Sequence, residues 1–88
     1  MVNLTRVVKI TTYDCSGESC YRLSSIDVNP KNVETIEEDV SMTNLHSKTP
    51  ISKEIDKYAR FTKIALTSGK EITVIGENGK ILSKIKLG

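Results

Sequence analysis

Residues 60–75 hold the feature that most constrains this chain. Thr62, Ile64 and Leu66 alternate with Lys63, Ser68-Gly69 interrupts the run, and Ile72 and Val74 then alternate with Thr73 and Ile75. A period of two sends neighbouring side chains to opposite faces of a strand, and Ser-Gly turns the chain back, so the segment reads as an antiparallel hairpin. A lone hairpin is at best marginally stable in water, so the rest of the chain must add strands and cover a face. Composition agrees: Ile, Val and Thr number 26 of 88 residues against two Ala, and stiff β-branched side chains suit a pleated surface better than a helix.

The other segments supply those strands. Leu4, Val7, Val8 and Ile10 among threonines predict a first strand over residues 3–13. The adjacent Val7 and Val8 imply either that both faces are partly covered or that a bulge intervenes. A polar stretch around Gly17 turns the chain, and Tyr21, Leu23, Ile26 and Val28 form a partner strand that Asn29-Pro30 stops. Residues 32–40, with Val33, Ile36 and Val40 spaced by three and then four, fit a short helix as readily as a short strand. Residues 41–50 have no apolar period and read as a loop. Thr49-Pro50 then opens a short helix with Ile51, Ile55 and Tyr58 or Ala59 on one face. Asn78-Gly79 predicts a type I′ turn, because both central positions of that turn need positive φ. The closing strand after it would place Ile81, Ser83, Ile85 and Leu87 opposite Lys80, Leu82, Lys84 and Lys86. The expected fold is mainly β: five to six short antiparallel strands as a small twisted sheet or barrel. One short helix sits in a central insertion over residues 41–58, and a single domain covers residues 1–88.

Length and charge bound the function. Eighty-eight residues make room for one packed core and not two. A net charge of +2 excludes a strongly basic nucleic-acid coat and an acidic nucleic-acid mimic as whole-molecule properties. No apolar run approaches the 18 or so residues of a membrane span, and no cleaved signal is visible, so the expected address is cytoplasmic, with no membrane partner. Cys15 and Cys20 flank the first turn, where a disulfide closing a short loop and a pair of free thiols are both open. With one distant His they do not make a four-ligand zinc site.

Two blocks carry a resemblance. Residues 25–38 end one strand in Asn29-Pro30 and the next in Glu37-Glu38, and residues 61–74 hold a Thr-x-Ile-x-Leu-x-x-Gly-x-x-Ile-x-Val hairpin. This pattern resembles the FlbD/SwrD family of very small flagella-associated proteins and similar short phage and bacterial proteins. The resemblance is what tips residues 32–40 towards a short strand. It carries over no catalytic residue, since the shared positions are core and turn residues. The chain differs in its insertion over about residues 41–58, its Cys-bearing first turn and its extra segment after Asn78-Gly79.

Catalytic chemistry is not written in the chain. His46, the one imidazole, falls in the segment read as a solvated loop, without a rigid neighbour to make it a general base. Glu37, Glu38 and Asp39 read as a solvated strand end and not as a divalent-ion site, which needs several oxygen ligands on a preshaped loop. Gly76 and Gly79 lack the following helix that a phosphate loop requires. No enzyme, no cofactor and no metal site is expected. Binding is the stronger class. One expectation is a protein-interaction module, a phage or bacterial accessory regulator or inhibitor. It would hold a protein partner through Met42 and Leu45 on the 41–49 loop, with self-association through strand edges as a further route. The alternative is a small β-barrel binding single-stranded nucleic acid through a basic C-terminal strand. Residues 59–88 hold six Lys or Arg against two acids, and Arg60, Lys63, Lys70, Lys80, Lys84 and Lys86 would track the phosphates. Against it, only Tyr13, Tyr21, Tyr58 and Phe61 are available to stack on bases.

Overall fold

The computed structural model describes residues 1–9, 21–48, 51 and 55–87, the last by its backbone. Strand β1 (Val2–Lys9) pairs along its whole length with β2 (Tyr21–Val28), from Val2 opposite Val28 to Lys9 opposite Tyr21, with no register shift. The first of the two readings of Val7-Val8 therefore holds: Val7 is buried, Val8 is half-buried, and both faces are covered without a bulge. Asn29 and Pro30 end β2 as expected. The Asn29 side chain accepts from Lys31 N at 3.0 Å and caps a single 3-10 turn, Pro30–Asn32. Strand β3 (Val33–Glu38) follows, with a register shift between Val33 and Thr35. Strands β4 (Phe61–Leu66) and β5 (Glu71–Ile75) form the hairpin read from the alternation; Gly69 takes φ 90° in its turn, where Leu66 N donates to the Lys70 carbonyl at 2.8 Å.

The five strands make one antiparallel sheet in the order β2-β1-β5-β4-β3. Its two edges are consecutive in sequence, joined by four residues. Five chain steps reach at most about 18 Å, whereas the edges of a flat five-stranded sheet lie about 19 Å apart. The sheet therefore curls. It stays open, because among the described residues β2 and β3 do not pair.

Two departures from the sequence reading place the helices. Residues 41–48, expected as a loop, belong to helix α1 (Val40–Lys48). Residues 55–59, expected in a helix, instead turn around Asp56, whose side chain accepts from Tyr58 N and whose carbonyl accepts from Ala59 N, both at 3.0 Å. An Asx turn of this kind competes with helix for the same backbone donors. The expected cap at Thr49-Pro50, the Cys15 and Cys20 turn and the end of the first strand lie outside the described residues. The second correction is larger: no type I′ turn forms at Asn78-Gly79, and the segment after β5 is helix α2 (Asn78–Leu87), not a closing strand. Gly76 decides this. It takes φ 140°, turns the chain out of the sheet, and lets Ile81 approach so closely that a Cβ there would stand 2.9 Å from Ile81 Cδ1. Ile81 and Ile85, one helical turn apart, are then both buried.

The sheet thus has a helix on each face. On the α2 face, Val2, Leu4, Val28, Ile64, Ile72 and Val74 pack with Ile81 and Ile85. On the α1 face, Val7, Phe61 and Ile51 form a smaller core that Tyr21, Leu23, Met42, Ile55 and Ile75 border. Consecutive Phe61 and Thr62 are both fully buried for this reason.

Candidate interaction groove

Helix α1 is preceded by Asp39, the one member of the Glu37-Glu38-Asp39 group that is not a solvated strand end. Its side chain is buried, at 8% exposure. One carboxylate oxygen accepts from Met42 N at 3.0 Å, which caps the helix, and the other accepts from the Thr73 hydroxyl at 2.8 Å, which ties the cap to β5. Its backbone N–H donates to the Phe61 carbonyl at 2.9 Å, and Phe61 N donates to Thr43 Oγ1 at 3.1 Å. The first turn of α1 is therefore fixed to β4 and β5 by polar bonds.

His46 fixes its other end. Its expected solvated position is corrected: the ring is fully buried. Nδ1 accepts from Ile51 N at 3.1 Å, so the ring proton stands on Nε2, which donates to the Asp56 carbonyl at 2.8 Å. The ring also meets Phe61 edge-on at 5.4 Å between centroids. His46 is thus a bridge from α1 to the chain that follows it. The signal the sequence carried was the spacing of Met42 and His46, one helical turn apart, which an apolar count cannot register.

Between α1 and the sheet runs a groove of about 470 Å³. Met42 and Leu45, read as anchors on a loop, both line it from the helix, and Val7 and Tyr21 line it from β1 and β2. Leu45 is 39% exposed and Met42 half-buried. Lys9, Lys63, Ser41, Thr73 and Asp39 complete the walls.

The six basic residues do not share one surface. Lys80, Lys84 and Lys86 stand on α2, not on a strand face; Lys80 and Lys84 lie one turn apart, while Lys86 projects from a different side. The Arg60 guanidinium meets the Glu38 carboxylate at 3.1 Å, and Lys63 lies between Glu37 at 4.0 Å and Glu71 at 3.8 Å. Lys70 is exposed in the β4–β5 turn. Among the described residues no three His, Cys, Asp or Glu stand together as metal ligands, and no helix is long and apolar enough to cross a membrane. No family model, no curated protein and no solved structure matches this chain.

Proposed function

We propose that this chain is a protein-interaction module, a cytoplasmic regulator or inhibitor that works by occupying a partner's surface through the groove beside α1. The observation that carries the reading is the placing of Met42 and Leu45 on one groove with Val7 and Tyr21. Four apolar side chains from a helix and two strands offer a partner an anchor site that loses water on contact, the kind of surface on which binding energy concentrates. The basic residues give less support to nucleic acid, since Arg60 and Lys63 already face carboxylates and would have to leave them to neutralise phosphates.

The test is affinity capture from the native host with the wild-type chain and a Leu45→Glu variant, after nuclease treatment. Leu45 is exposed enough that the variant should keep its melting curve. A protein recovered by the wild type and lost about tenfold by the variant is the expected result. Recovery of the same protein by both would rule out the groove, and loss of all capture on nuclease treatment would favour nucleic acid.

A further inference from the structure

The two edges of the sheet differ in kind. Strand β3 is bulged at its start and carries Glu34, Glu37 and Glu38, all exposed, which are devices that blunt an edge. Strand β2 has no bulge, and of its eight residues only Arg22 and Asp27 are charged. It is eight residues long and in unbroken register with β1, its proline comes after its end, and among the described residues nothing pairs with its outer side.

Its side chains are sorted by face. Tyr21 and Leu23 border the α1-face core, and Ile26 and Val28 belong to the α2-face core. By alternation Arg22 stands on the α2 face and Asp27 on the α1 face. Both charges are exposed. Among the described residues Asp27 accepts from Asn3 Nδ2 at 3.0 Å through Oδ1 only.

This sorting argues against a second copy of the chain as the occupant. Two identical antiparallel strands are related by a two-fold axis normal to the sheet, which keeps each face on its own side. Residues directly opposite must then share a face, and their numbers sum to an even value. Arg22 and Asp27 sum to 49, so no such register pairs them. Arg22 would meet Ser24, Ile26, Val28 or another Arg22, and Asp27 would meet Tyr21, Leu23, Ser25 or another Asp27.

We propose that β2 accepts an extended segment of a different protein, carrying an acid opposite Arg22 and a base opposite Asp27. The two lie five residues apart and so project to opposite faces, with apolar residues opposite Tyr21, Leu23, Ile26 and Val28. The segment adds a sixth strand by main-chain bonds, and the charges fix its register. This rests on the reading of the chain as an interaction module, but not on the groove.

The experiment uses the full chain and two eight-residue peptides of one composition, one with acid and base five residues apart and one with them four apart. The second shows both charges on a single face and satisfies at most one. The first should bind about fivefold tighter. An Arg22→Ala/Asp27→Ala variant should bind both equally, and hydrogen exchange should slow at alternate β2 amides on binding. Equal binding by the wild type, an absence of binding, or protection of β2 that grows with protein concentration alone would overturn the proposal, the last in favour of self-association. Failure here with groove-dependent capture intact would leave the module reading standing and remove only the edge.

Discussion

Replacing His46 with Leu keeps an apolar ring-sized volume and removes both ring nitrogens, so the cost reports the bridge and little else. Ile51, 1% exposed, would keep its N–H inside without an acceptor, which costs about 1–3 kcal/mol. Loss of the edge-on contact with Phe61 adds about 0.5–1.5 kcal/mol. The Asp56 carbonyl also loses one donor, but it keeps the Ala59 N–H, and Asp56 is exposed so that water can replace the imidazole at small cost. The sum is about 2–4 kcal/mol, a large part of the roughly 4–13 kcal/mol that a chain of this length has in total. At about 4–8 °C per kcal/mol the melting midpoint should fall by about 8–32 °C. Thermal and urea unfolding followed by circular dichroism reads this directly. Asn44→Ala, at an exposed position on the same helix, is the control and should shift stability by less than about 0.5 kcal/mol. A Leu variant as stable as the control would refute the claim that His46 holds the segment after α1 in place.

The glycines test the C-terminal helix. Gly76→Ala should destabilise by about 2–4 kcal/mol, from positive φ and from the 2.9 Å approach to Ile81. Gly79→Ala should raise stability by about 0.5–1 kcal/mol in the same melts, because Gly79 sits in the first turn of α2 with open space around it; a loss there would restore the hairpin turn. Asp39→Ala should cost about 2–3 kcal/mol through the helix cap and the Thr73 hydroxyl. A double-mutant cycle with Thr73→Val should show a coupling of about 1 kcal/mol, and additivity would mean that the two side chains do not share a bond.

What could be read from the sequence follows the chemistry of each segment. Strands β1, β2, β4 and β5 announce themselves because apolar alternation and turn residues agree. In β3, Val33 and Ile36 fit either period, and Val33–Glu38 forms a strand by pairing with β4. Helix α1 was hidden because Met42 packs inward beside polar Thr43 and His46, whose hydrogen bonds do what apolar contacts do elsewhere. Helix α2 was hidden because Ile81 and Ile85 satisfy a period of two as well as a spacing of four; Gly76, five residues earlier, decided between them. The anchors Met42 and Leu45 could be named without α1, but the groove that unites them with Val7 and Tyr21 could not.

Among the described residues the seam between β1 and β5 rests on two residue pairs, Arg6 with Val74 and Val7 with Thr73. Among these residues it carries the sheet pairing between the N-terminal hairpin and the β3–β4–β5 block. The pairs inside each block lie closer in sequence than Val7 and Thr73, so the seam closes the longest loop in the sheet, the one that costs most chain entropy. What holds the hairpin in place is then mostly the burial of Val2, Leu4, Val7 and Val28. A chain divided between β2 and β3 would have the makings of two complementary fragments, able to recombine through those four side chains.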